Sequence, residues 1–233
     1  MKINETHSTN SLLKELLAKG EWPEGEGFLY AGYQTAGRGQ TGNSWESEAD
    51  KNLLCSILLP PDKNLYFLNI AVGVAIYRTV RELGISELGI KWPNDIYWRD
   101  KKLAGILVEN AIIGNEVRYS IAGIGLNVNQ TEFVSDAPNP VSLKQITGNE
   151  YDIDQLMKDL LHAVYTVLDE PEQNVWSEYK AHLYRREGVW PFEDSKGRFE
   201  ARIVDVLPSG EIVLQDQQGQ KRTYHFKQVR YIL

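Results

Sequence analysis

Two kinds of pattern alternate along the chain: apolar residues that recur every three to four positions, and short apolar runs cut by turn formers. In "HSTNSLLKELLAKG", Leu12, Leu13, Leu16 and Leu17 fall at helical spacing between the capping residues Ser8, Thr9 and Asn10 and a stop at Gly20, which predicts a first amphipathic helix. Leu65, Leu68, Val72, Ile76, Val80 and Leu83 form a second stripe ending at Gly84, and predict a mostly buried helix. A third helix is expected with Ile153, Leu156, Leu160, Leu161, Val164 and Leu168 on one face, and a fourth around "PEQNVWSEYKAHL". Between them, "GFLYAGYQ", "NLLCSILL", "GIKW", "DIYW", "KLAGILVEN" and "VRYSIAGIGLNV" read as strands. The last four are separated only by turns at Pro93-Asn94, Asp100-Lys101 and Gly114-Asn115, so they should pair antiparallel. The fold expected is α+β, a largely antiparallel mixed sheet packed with helices.

After Arg186 the character changes to short β-rich runs broken at Pro208-Ser209-Gly210 and Gln218-Gly219, the pattern of a small all-β unit. A boundary near residue 187 divides the chain into residues 1–187 and 188–233.

Composition narrows the function more than the fold. Hydrophobic residues make up 42% and charged ones 24%, an ordinary soluble balance. A net charge of -7 argues against a chain whose main task is neutralising nucleic-acid phosphates, so any positive field must be local. Cys55, in "NLLCSILL", reads as a small buried hydrophobe; it has no cysteine to pair with, and a reducing cytoplasm fits. The N-terminus has no signal-peptide character, and no apolar stretch approaches the roughly 20 residues of a membrane span, so no membrane role is expected.

The candidate chemistry lies in three clusters. "YQTAGRGQTGNSW" spaces Gly37, Gly39 and Gly42 like a dinucleotide fingerprint, but that fold needs a helix to open at the third glycine, and "NSWESEADKN" has no helical period. Kinase and P-loop signatures do not occur either. Arg38 stands between two glycines, so backbone N–H groups and a guanidinium can converge on one anion, and the loop could close over it; the glycines alone would suit a flexible hairpin. In "KWPNDIYWRDKKLAGILVEN", Lys91 lies between Ile90 and Trp92 on a strand that should be buried, where an ammonium requires a paired anion. In "GIGLNVN", Gly123 and Gly125 alternate along a strand, which marks either the close approach of a ligand or backbone, or a β-bulge.

With "STN" ahead of them, the "GRG" loop, "KWPND" with "KLAGIL", and "GIGLNV" resemble, in this order and at these separations, the biotin protein ligases, and the resemblance covers the whole chain. It implies a catalytic domain like that of class II aminoacyl-tRNA synthetases and biotin synthetases, followed by a small SH3-like barrel. It also implies a two-step reaction: biotin and Mg-ATP give biotinyl-5'-AMP, and the biotinyl group then passes to a lysine on a carboxylase's biotin carboxyl carrier domain. By the same resemblance Lys102, Arg38 and Lys91 would be catalytic. Biotin would be held by Ser8, Thr9, Asn10, Gln34, Arg38, Gly39, Gln40, Lys102, Gly105, Gly123 and Gly125. The nucleotide would be held by Arg38, Asn43, Trp45, Asn94, Asp95, Lys102 and Asn127, with Asp95 toward Mg²⁺. Many relatives carry basic residues where this chain has Gln40, Thr41 and Asn43, which points to weaker retention of the intermediate. The chain starts directly at the catalytic module, the short form without a DNA-binding segment, so no DNA partner is expected. The family includes monomers and dimers, which leaves the oligomeric state open. The rival readings are a lipoate or octanoate ligase or transferase, whose sequences lack "KWPND", and a non-catalytic biotin-binding protein, for which loss of Arg38 or Lys102 would have argued.

Overall fold

The computed structural model describes residues 1–25, 27–61, 63–113, 116–134 and 139–233. It opens with a strand that the apolar pattern does not announce: β1 (Lys2–Thr6), mostly polar, pairs in parallel with β2 (Phe28–Gln34). Between them lies α1 (Thr9–Lys19), ended by Gly20 at φ 70, whose N–H bonds the carbonyls of Leu16 and Leu17. After β3 (Leu53–Leu59) comes α2 (Leu65–Glu82), capped by the Asn64 side chain, which accepts from the N–H groups of Tyr66 and Phe67. The strands β4 (Leu88–Lys91), β5 (Asp95–Trp98), β6 (Lys101–Ile113) and β7 (Glu116–Leu126) follow as antiparallel neighbours, as the short turns require. The Trp92–Pro93 peptide in the first of those turns is cis, and the expected Gly114-Asn115 turn lies outside the described residues. One seven-stranded sheet results, in the order β1-β2-β3-β7-β6-β5-β4.

The helical stripes need adjustment. Leu68, Val72, Ile76 and Val80 are buried as expected, but Leu65 is exposed, and α2 buries residues on every side because it lies between the sheet and two further helices. A one-turn helix, α3 (Leu143–Thr147), is too short to show a period; Ser142 and Gln145 form its capping box. In α4 (Ile153–Asp169) the buried face is Leu156, Met157, Leu160, Val164 and Val167, while Ile153, Leu161 and Leu168 are half-buried. The expected face packs on the core, and Met157 and Val167 join it. α5 (Glu172–Ala181) contributes Val175 and Tyr179 to the core, and Arg78 on α2 bonds both Glu170 and Glu178, which ties α2 to α5 and the turn before it.

The all-β segment forms β8 (Trp190–Asp194), β9 (Gly197–Val206), β10 (Ile212–Asp216), β11 (Lys221–Tyr224) and β12 (Val229–Tyr231), an antiparallel sheet in the order β11-β10-β9-β8-β12. It docks on the β4–β5 turn, where the Trp92 indole N–H donates to the Gly210 carbonyl at 2.9 Å and Phe226 meets Trp92 edge-on. That contact brings β12 and the segment before it alongside the clusters picked out in the sequence. A buried apolar network runs continuously from Leu53 through α2 to Phe192 and Leu214, and a smaller one, Leu13, Leu17, Leu29 and Ile121, seats α1. Cys55 lies in the larger core, and burial pushes its thiol up to about 12. Among the described residues no helix is long and apolar enough to cross a membrane.

Candidate active site

The start of α1, the end of β2, the glycine loop and the middle of β6–β7 enclose a cavity of about 540 Å³. Every residue to which the resemblance assigns a catalytic or binding role lines it except Asn127. Asn127 instead faces an adjoining cavity of about 700 Å³, which shares Asn43, Trp45, Lys91, Asp95 and Lys102 with the first. Its amide nitrogen is already held by the Val141 carbonyl at 3.1 Å, and that of Asn94 by the Ile106 carbonyl at 2.6 Å, so both asparagines first brace the backbone.

The strand glycines admit protein side chains. Gly105 and Gly125 pair across β6 and β7, and the Trp45 indole lies where their β-carbons would stand; a Cβ at Gly105 would come to 3.0 Å from the ring. A Cβ at Gly123 would meet Asn10 Oδ1 at 2.6 Å. Register is unbroken through Gly123 and Gly125 on both sides, so the choice between bulge and close approach falls to close approach. Trp45 and Asn10 make that approach, and the three glycines line the cavity beside them.

At the polar end, Ser8 occupies the N-cap position of α1 without capping it. The Gln34 side chain does that instead, its Oε1 accepting from the Thr9 N–H at 2.7 Å and standing 3.1 Å from the Thr9 hydroxyl. Ser56 was not expected in this network: it is fully buried, 2.6 Å from Asn10 Oδ1 and 2.8 Å from the Thr9 hydroxyl. Since Asn10 Oδ1 can only accept, the single Ser56 proton belongs to it, which fixes the orientation of the Asn10 amide.

At the charged end three cations converge. Lys102 Nζ stands 2.6 Å from Asp95 Oδ1 and above the Trp45 ring. Arg38 is held by a protein anion, the Glu109 carboxylate, at 2.9 Å. Lys91 has no protein carboxylate paired with it among the described residues. It donates to the Tyr97 hydroxyl at 3.1 Å and lies 4.5 Å and 5.1 Å from the ring centres of Tyr97 and Tyr231, so aromatic faces do part of an anion's work. Burial brings its ammonium down to about 8, although Asp95 opposes the shift. The loop closes on itself as a tight hairpin around a 3₁₀ turn at Gln40–Gly42, where the Gly39 N–H donates to the Asn43 carbonyl at 2.7 Å. The Gly39 amide expected to meet an anion is thus engaged within the loop.

Two groups of residues in and around the cavity have no local signal in the sequence. Phe226, Lys227, Val229, Arg230 and Tyr231 form a wall, brought there by the docking of the C-terminal sheet. Ser56 and Glu109, which lie behind the lining, are ordinary residues on ordinary strands, and only their partners reveal them.

Residues 3–127 match the model of the biotin/lipoate A/B protein ligase family, and the chain belongs to that family. It is 29% identical over 227 residues to the bifunctional ligase/repressor BirA of Bacillus subtilis, an alignment covering 89% of this chain and 67% of that protein. It is 29% identical over 243 residues to the biotin--[acetyl-CoA-carboxylase] ligase of Paracoccus denitrificans, covering 94% and 95%. The biotin protein ligase of Aquifex aeolicus, solved in complex with biotin and ATP, superposes with a TM-score of 0.81 at 25% identity, over 100% of this chain and 98% of that one. Fold and relatives alike place the chain among the biotin protein ligases of the family.

Proposed function

We propose that the enzyme uses ATP to convert biotin to biotinyl-5'-AMP and transfers the biotinyl group to a lysine on a carboxylase's carrier domain. The observation that carries this reading is one cavity with a fixed hydrogen-bonding end and a cationic end. At the first end the Gln34 carbonyl is committed to α1, so its amide nitrogen is left to donate to a ureido carbonyl, with Ser8, Thr9 and Asn10 around it. At the other, Arg38, Lys91 and Lys102 offset the repulsion between a carboxylate and a triphosphate that must approach one another. Lys102 acts at the carboxylate and α-phosphate, Lys91 adds charge behind it, and Trp45 offers a flat surface to the adenine. Asn94 and Asn127 bound the nucleotide chamber, and the loop over the cavity keeps water from the mixed anhydride.

Asp95 brings one carboxylate to the cationic end, with its Oδ1 2.6 Å from Lys102 Nζ. Among the described residues no cluster of three or more ligating side chains occurs. One carboxylate fits a Mg²⁺ that arrives with the nucleotide's phosphates, because this ion ordinarily takes few protein ligands. Bound there, it would neutralise phosphate charge. Residues 1–187 form the catalytic unit in this reading, and 188–233 a second unit that closes the cavity's far wall.

The rival acyl groups, lipoate and octanoate, lack the ureido ring that the polar end suits. Pyrophosphate release measured with ATP and each acid in turn tests the reading. Release with biotin alone is expected, and release with lipoate or octanoate but not biotin would overturn it.

A further inference from the structure

Glu109 stands outside the cavity lining, yet its carboxylate gathers groups from two elements of the site. Oε2 accepts from Asn10 Nδ2 and from Arg38 Nη2, each at 2.9 Å; Oε1 is 3.0 Å from Lys14 Nζ and 3.4 Å from Arg38 Nη1. One carboxylate on β6 therefore joins the first turns of α1 to the loop's arginine in a two-pronged ion pair. Burial would raise this carboxyl, but the hydrogen bonds from Asn10 and Lys14 and the charges of Lys14 and Arg38 outweigh it and hold the group below its ordinary range.

We propose that Glu109 is a positioning residue for the ligase reaction, a latch that ties the glycine loop to α1 and presents Arg38 as a cation that an anionic intermediate draws away. The intermediate's identity rests on the proposed function; the latch does not. An acyl-adenylate phosphate carries the charge that Glu109 carries, so Arg38 can exchange one for the other, whereas a neutral ligand offers no such exchange. A mere surface pair would contribute next to nothing, and Arg38 is 42% exposed, so the latch must be shown to hold the loop.

Amide hydrogen exchange of the loop peptide, residues 37–45, in the full chain without substrates tests this. Glu109→Gln keeps the shape and an acceptor for Asn10 but removes the charge. Loop exchange is expected to speed up about tenfold, equivalent to about 1.4 kcal/mol. In the wild type, exchange should also rise between about 0.05 and 0.5 M salt as the pair is screened, and the variant should lose that response. Lys14→Met, which removes a Glu109 partner outside the loop, should leave the loop protected. Unchanged exchange in Glu109→Gln, a salt response equal to the wild type's, or loss of protection in Lys14→Met would overturn the proposal. Should Glu109→Gln not fold, Arg38→Gln breaks the same pair from the loop side and is held to the same expectations. Failure of biotin ligation would leave this result standing, since neither biotin nor ATP is added.

Discussion

The indole of Trp45 lies over Gly125, in the volume a β-carbon there would need. The contact fixes the loop's C-terminal end to the sheet floor, and it puts the ring under Lys102. Gly125→Val should expel the ring, with an overpacking cost of about 1–3 kcal/mol in stability and loss of ATP-dependent turnover. Chemical denaturation and biotin-dependent pyrophosphate release measure the two effects. Wild-type stability in the variant would show that the ring moves freely and that the glycine is not required by it.

Lys102 faces Asp95 and the cavity and lies outside the apolar core, so its removal should spare the fold. Lys102→Ala is expected to slow pyrophosphate release by about 100-fold to 1,000-fold, the 3 to 4 kcal/mol typical of one charge-assisted contact at a developing charge. Release within threefold of wild type, with an unchanged circular dichroism spectrum, would remove Lys102 from the chemistry.

Lys91 should destabilise the protein at neutral pH. Its ammonium is brought down to about 8 in the folded chain from an ordinary 10.5, so between these values the unfolded chain holds the proton more firmly. The stability this group contributes is full above the unfolded value, falls as pH drops through the window, and is lost below about 8. Lys91→Met should therefore stabilise the protein at pH 7 by up to about 3 kcal/mol, less whatever the rings of Tyr97 and Tyr231 return, and by much less at pH 9.5. Urea unfolding of both proteins at the two pH values checks it; a gain independent of pH would mean that packing, not charge, is responsible.

The parts of the site legible in the sequence were those in which residue type departs from local habit: an arginine between glycines, a lysine in an apolar strand, glycines inside a strand. Each departure leads to the cavity. The elements that remained hidden have no such departure. β1 is a mostly polar edge strand, and its parallel partner is supplied by tertiary contact. Ser56 and Glu109 act through hydrogen bonds to α1 and the loop, which no spacing encodes. The rings around Lys91 were not legible because Tyr231 comes from the other end of the chain. On α4, Met157 and Val167 join the expected leucines on the core because helical geometry, not residue class alone, sets the buried face.

The most direct test of the central claim is the mass of a carrier domain after incubation with the protein, biotin, ATP and Mg²⁺. One biotinyl group should be added, at a single lysine, and only when ATP is present. A carrier of unchanged mass, or one that gains a lipoyl or octanoyl group from the matching acid while biotin is refused, would contradict the account.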